Sequence, residues 1–152
     1  MRVIILKKRL FDAFMSYQEL LHKDINPLVL DNLFHAIGWR KRGAAKWKEV
    51  LSKSSFVYSM WDEKTLIGFG RIMEDGVMCM FYDIGVHPAY QRQKIGTKIM
   101  NTLLAQVKDK KYASIGLFAW EENKDANMLF YKKFGFEQVN TGMELVKYMK
   151  RE

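Results

Sequence analysis

One stretch, Asp83 to Leu104 (DIGVHPAYQRQKIGTKIMNTLL), restricts the fold more than any other. Together with the residues from Met78 onward, the apolar and aromatic run up to Val86 predicts a buried strand. His87-Pro88 ends that strand, because proline has no N–H for a ladder bond. A polar loop, Tyr90-Gln91-Arg92-Gln93-Lys94, follows. Gly96 then opens a helix whose apolar positions Ile95, Ile99, Leu103 and Val107 recur at helical spacing. Strand, short loop and helix N-terminus together make an anion site. The first-turn amides have no partner inside the helix, and the helix dipole adds partial positive charge there. Arg92, Lys94 and Lys98 add full charges. The predicted ligand is a phosphate-bearing molecule held largely by backbone.

The flanking segments place this unit in a mixed α/β sheet. Phe56–Trp61 and Thr65–Met73 predict strands around an Asp62-Glu63-Lys64 turn. Val77–Val86 follows across Glu74-Asp75-Gly76, and an Asp-Gly step between apolar runs is a hairpin signal. The helix from Gly96 to about Lys110 leads to a strand, Ala113–Ala119, which a strand-helix-strand crossover makes parallel to the strand before it. Upstream, Pro27–Ile37 predicts a helix with Asn26 as N-cap, Pro27 at the first position and Gly38 as stop. Its apolar set is Leu28, Leu30, Leu33, Phe34 and Ile37. Ala44–Ser52 predicts a second helix with Trp47, Val50 and Leu51 inward. Tyr17–His22 reads as a short strand. Residues 1 to 15 read as an extension, with Val3–Leu6 as a strand or Leu10, Phe11, Phe14 and Met15 as one helix face. A last helix from Asn123 or Asp125 to about Lys133 closes at Gly135, and Phe136–Val139 and Met143–Met149 predict two final strands.

The motif Gln91-Arg92-Gln93-Lys94-Ile95-Gly96 resembles the Gln/Arg-x-x-Gly-x-Gly/Ala signature of the GCN5-related N-acetyltransferase family, with Lys94 where the first glycine is usual. A second segment, Asn127-Met128-Leu129-Phe130-Tyr131-Lys132-Lys133-Phe134-Gly135-Phe136, is similar to that family's Asn-x-x-x-Tyr-x-x-x-Gly-Phe pattern. Asn127 and Tyr131 are one helical turn apart and share a face. The resemblance implies a mostly antiparallel sheet of roughly six to seven strands, flanked by about four helices, with a splay between its fourth and fifth strands. It implies acetyl-CoA as co-substrate, held by Ile84, Gly85, Val86, Gln91, Arg92, Gln93, Lys94, Ile95, Gly96, Thr97, Asn127 and Tyr131.

The resemblance also implies a mechanism. A neutral amine attacks a thioester carbonyl, and negative charge builds up on its oxygen. One fixed backbone N–H at that oxygen can be worth ~3 kcal/mol. Ile84 is the expected donor, Val86 the expected contact for the pantetheine arm, and Tyr131 the expected proton donor to the leaving thiolate, since a phenol is protonated at neutral pH. Asp83 is a candidate base near the reacting centre, and Glu74 or Asp75 could act through water. Each reads first as a turn or surface carboxylate, and no single base stands out. The link Arg40-Lys41-Arg42-Gly43 is a solvated loop or an acceptor contact.

Composition narrows the rest. A length of 152 residues predicts one domain. The 25 basic and 17 acidic residues leave a net charge of +8, which attracts acidic partners. The lysines are scattered and no nucleic-acid motif occurs, so no nucleic acid is expected as partner. His22, His35 and His87 have no metal-ligand spacing, and no metal is expected. Cys79, the only cysteine, cannot form an intramolecular disulfide, and no apolar stretch is long enough for a membrane span. The expectation is a cytoplasmic acyltransferase, monomer or homodimer, acting on a small-molecule amine. A non-catalytic coenzyme A-binding module is the alternative.

Overall fold

The structure, a computed structural model, describes residues 17–119 and 124–139. A five-stranded sheet runs in the order β1 (Gln18–Leu20), β2 (Phe56–Asp62), β3 (Thr65–Glu74), β4 (Met78–Val86), β5 (Ser114–Leu117). Neighbours pair antiparallel up to β4, and β4 pairs parallel with β5. Helices α1 (Pro27–Ala36) and α2 (Ala44–Lys53) lie between β1 and β2 in the chain, and α3 (Ile95–Val107) makes the crossover from β4 to β5. These elements belong to a compact unit ending at Phe118. A second unit starts at Ala119 and contains α4 (Lys124–Lys132). No helix among the described residues is long and apolar enough to cross a membrane.

Local chemistry explains each boundary. The Asn26 side-chain oxygen accepts the Leu28 N–H at 3.0 Å, and Pro27 fills the first position of α1. Gly38 ends the helix at φ 103°, while the Trp39 N–H reaches back to the Phe34 carbonyl at 2.9 Å. Left-handed backbone at a helix end is where glycine carries no β-carbon penalty. At the β3–β4 hairpin, Asp75 Oδ1 accepts the N–H groups of Val77 at 2.9 Å and Met78 at 2.7 Å, so Val77 belongs to the turn rather than the strand.

The sheet is covered on both faces. Phe69 meets the rings of Phe34 and Trp47, from α1 and α2. Its neighbours Gly68 and Gly70 point to the other face, as strand alternation requires. There Ile95, Ile99, Leu103 and Val107 of α3 are all buried. Burying one such side chain contributes ~1.5–3 kcal/mol. A β-carbon at Gly70 would lie 2.6 Å from Ile99 Cγ2, 2.8 Å from Ile84 Cδ1 and 2.9 Å from Leu103 Cδ1. Glycine there lets α3 sit close against the sheet. Leu28 departs from the expected apolar set of α1 and is 58% exposed, since residue 28 lies on the solvent side of the first turn.

The expected six to seven strands reduce to five among the described residues. Val3–Leu6 and Met143–Met149 lie outside them, as do Leu10, Phe11, Phe14, Met15 and Asn123. Phe136–Val139 is described and is not a strand. The Phe136 N–H donates to the Tyr131 carbonyl at 3.3 Å, behind a Gly135 at φ 87°. The apolar residue after the glycine therefore completes a helix C-cap instead of starting a ladder.

One carboxylate organises the link between α1 and α2. Asp31, 7% exposed, accepts the Arg42 N–H at 2.8 Å, the Gly43 N–H at 3.2 Å and the Trp47 indole N–H at 3.1 Å through a single oxygen. Burial pushes its pKa up, but these three donors outweigh burial and hold it below the usual carboxylate range. Asp31→Ala should destabilise the fold by about 2–3 kcal/mol, because buried donors lose their acceptor. Asp31→Asn, which keeps an oxygen acceptor, should lose less. A group with a depressed folded pKa contributes stability above its unfolded value, lost as pH falls through the folded one. The gap between wild type and Asp31→Asn should therefore narrow below about pH 4 in urea melts.

Candidate active site

The end of β4 is irregular in two ways. In its ladder with β3, Phe69 pairs with Gly85 and Arg71 with Tyr82, so Asp83 and Ile84 together oppose Gly70 alone. Two residues against one is a β-bulge. In its parallel ladder with β5, pairing runs from Met78–Ser114 to Phe81–Leu117 and ends there. The backbone from Tyr82 to Val86 thus has no β5 partner among the described residues. Gly85 lies under α1, where a β-carbon would meet Ile37 Cδ1 and Phe34 Cε1, each at 2.8 Å.

Asp83 is 9% exposed and has φ 51°. Its carboxylate is gripped twice. Arg71 Nε donates to Oδ2 at 2.6 Å and Arg42 Nη2 donates to Oδ1 at 2.8 Å. The Arg42 guanidinium also lies over the rings of Trp47, at 4.5 Å, and Trp39, at 5.5 Å. Burial pushes the Asp83 carboxyl up, but the two arginines outweigh it and hold the group below the usual carboxylate range. Glu74 and Asp75 sit at the other end of β4, where Glu74 Oε2 accepts the Gly76 N–H at 2.9 Å and Asp75 shapes the hairpin.

From Val86 the chain passes through a short 3₁₀ turn, Pro88–Tyr90, into the loop before α3. His87 caps that turn, its Nδ1 accepting the Ala89 N–H at 3.3 Å. Gln91 Nε2 folds back onto the Val86 carbonyl at 3.3 Å. The loop is braced from outside by two tyrosines. Tyr90 donates to Asp62 Oδ2 at 2.8 Å and Tyr17 donates to Gln93 Oε1 at 3.2 Å. Arg92 and Lys94 both take left-handed backbone, at φ 62° and 63°. The helix begins at Ile95, not Gly96, with Lys94 as its cap. The Lys98 N–H bonds the Lys94 carbonyl at 3.0 Å. The amides of Ile95, Gly96 and Thr97 precede that bond, so helix geometry leaves them without intrahelical partners. Alternating left-handed residues ahead of a helix N-terminus form the kind of amide concavity that suits a pyrophosphate. The residues fit the group expected there.

The second unit carries the other expected residues. Asn127 and Tyr131 share one face of α4, and the Tyr131 ring packs edge-on to Phe130 at 5.1 Å and Phe136 at 6.2 Å. Burial pushes the Tyr131 phenol above its ordinary value. Among the described residues no group of three or more His, Cys, Asp or Glu could hold a metal ion. Cys79 is fully buried, and burial raises its thiol. The residues missed by the sequence reading are Arg71, Arg42 as an ion-pair partner, and Gly70.

A family model described as an acetyltransferase (GNAT) domain matches residues 53–138. The chain belongs to the GNAT acetyltransferase family. It is an acyltransferase. The uncharacterised N-acetyltransferase ycf52 of Porphyra purpurea is 34% identical over 143 residues, covering 91% of this chain and 78% of its own. Its counterpart in Pyropia yezoensis is 32% identical over 128 residues, covering 81% and 71%. A solved GNAT-family acetyltransferase of Streptococcus pneumoniae superimposes with a TM-score of 0.72 at 28% identity, covering 90% of this chain and 99% of that one.

Within this GNAT chain, Lys94 departs from the family motif in residue type but adopts a glycine-like backbone conformation. A β-carbon in left-handed backbone costs roughly 1–2 kcal/mol. Lys94→Gly should therefore be more stable than Lys94→Ala by about 1 kcal/mol, the reverse of the order expected in ordinary loop backbone. Thermal melts of the two variants decide it.

Proposed function

We propose that this protein transfers an acetyl group from acetyl-CoA to a primary amine, by direct attack of the amine on the thioester. The observation that carries this reading is the run Tyr82–Val86, bulged against β3 and without a β5 partner among the described residues, leading through one 3₁₀ turn into the amide-rich loop before α3. Acetyl-CoA supplies an activated acyl group. In this reading the Ile84 N–H faces the carbonyl oxygen as charge develops on it, and Gly85 and Val86 hold the pantetheine arm by their backbone. Gln91, Arg92, Gln93, Lys94, Ile95, Gly96 and Thr97 hold the pyrophosphate. Asn127 holds the arm, and Tyr131 gives a proton to the leaving sulfur. The raised phenol keeps that proton at neutral pH. The left-handed Lys94 supports a working cradle rather than a degenerate one, so the departure from the family motif gives no support to a non-catalytic module. The acceptor is a small-molecule amine, with neither nucleic acid nor membrane as partner and a cytoplasmic location.

Acetyl-CoA consumption should depend on an added amine across a panel of aryl amines, amino sugars, polyamines and amino acids. Hydrolysis without amine dependence overturns the reading. Tyr131→Phe should lower kcat far more than it weakens acetyl-CoA binding, because a donor to the leaving group acts in the transition state. Unchanged turnover across the pH range removes Tyr131 from the mechanism. Lys94→Glu should weaken coenzyme A binding by about 1–2 kcal/mol, and less at high salt, as calorimetric titration at two salt concentrations would show.

A further inference from the structure

Asp83 stands next to the backbone donor proposed for catalysis, yet its surroundings suit it poorly to proton transfer. Both carboxylate oxygens are engaged, at 2.6 Å by Arg71 and 2.8 Å by Arg42, and its side chain is 5% exposed. Two guanidiniums favour the ionised form and oppose taking up a proton. The two arginines come from different directions. Arg71 sits on β3, the strand facing the bulge, and Arg42 on the link between α1 and α2.

The backbone at the same residue is unusual. Asp83 is left-handed at φ 51°, a region where aspartate is better tolerated than most residues. The peptide after residue 83 carries the Ile84 N–H, so the conformation of Asp83 aims that donor. On the opposite sheet face the Ile84 side chain is wedged into the space left by Gly70, its Cδ1 2.8 Å from where a Gly70 β-carbon would lie. The peptide is therefore fixed from both faces, by charge on one side and by packing on the other.

We infer that Asp83, Arg71 and Arg42 are positioning residues that hold the β4 bulge so that the Ile84 N–H points at the reacting carbonyl. The inference rests on the acetyl-transfer reading. Arg71 is the strand-borne anchor. Arg42 connects the bulge to the link between α1 and α2, so ordering of that link and aim of the donor are coupled.

The full chain serves for the test, with coenzyme A affinity from calorimetry, steady-state turnover with an accepted amine, and the amide NMR signal of Ile84. Asp83→Asn keeps size and left-handed tolerance but drops the charge. Arg42→Ala removes one anchor and cannot remove a base. Each should lower kcat by about tenfold or more while coenzyme A affinity stays within about twofold. Each should also shift the Ile84 amide signal and leave the limbs of the pH–kcat profile in place. Arg42→Lys should recover part of the loss, since a point charge replaces only part of a guanidinium's contact. Should Asp83→Asn fail to fold, the two Arg42 variants carry the same comparison. Wild-type kcat in the variants that fold overturns the inference. So does loss of the acidic limb in Asp83→Asn alone, which would make Asp83 a base. If wild type binds coenzyme A but acetylates no amine, the reaction reading fails on its own. The Ile84 signal then decides the positioning, and an unmoved signal in these variants overturns it.

Discussion

The close approach of α3 to β3 governs the arrangement of everything around the site. Gly68 and Gly70 strip two positions of that strand face to backbone, and Ile95, Ile99 and Leu103 fill the room. Ile95 is also the first residue of the helix. Packing against Gly68 therefore fixes where the helix N-terminus stands, and with it the amides that precede the first helical bond. Ile84 shares the same space beside Gly70. One apolar contact region thus sets both the cradle at the helix start and the bulge at the end of β4.

Charge inside the fold is handled with the same economy. Asp31 and Asp83 are both buried, and both are met by N–H donors: three converge on one oxygen of Asp31, and an arginine holds each oxygen of Asp83. Truncating one member of a buried ion pair strands its partner, which is why such pairs resist piecemeal change even where their net contribution is small. Both carboxylates act on one short link, Asp31 through the amides of Arg42 and Gly43, Asp83 through the Arg42 side chain. A stretch rich in basic residues is thereby fixed by acids from a helix and a strand.

Much of this was legible in the sequence where the signal was local. Periodicity located α1, α2 and α3, and the turn residues located the hairpins. The Asn26 cap and the parallel crossover followed from rules of chain geometry. What escaped was long-range. Nothing near Arg42 announces a partner on β4, because the pair joins residues that only the folded sheet brings together. Arg71 did carry a signal, since a charge inside the run Thr65–Met73 demands a buried counter-ion, but the sequence does not name it. Phe136–Val139 failed for a different reason. Its residues suit a strand, yet the helix cap before it takes the first amide. Lys94 was legible as a departure from the family motif, whereas its backbone conformation was not.

The doubly held link has a dynamic consequence. A loop secured at one point can fray from its free side, one bond at a time. Here the Arg42 backbone is held by one carboxylate and its side chain by another, and Gly43 and Trp47 share the first. Detaching Arg42 therefore disturbs the start of α2 and the end of β4 together. The link, the first turn of α2 and the bulge should open as one cooperative unit, with amide exchange rates that rise in concert rather than residue by residue. A segment of this kind spends its time either fully closed or fully open, with few half-states between.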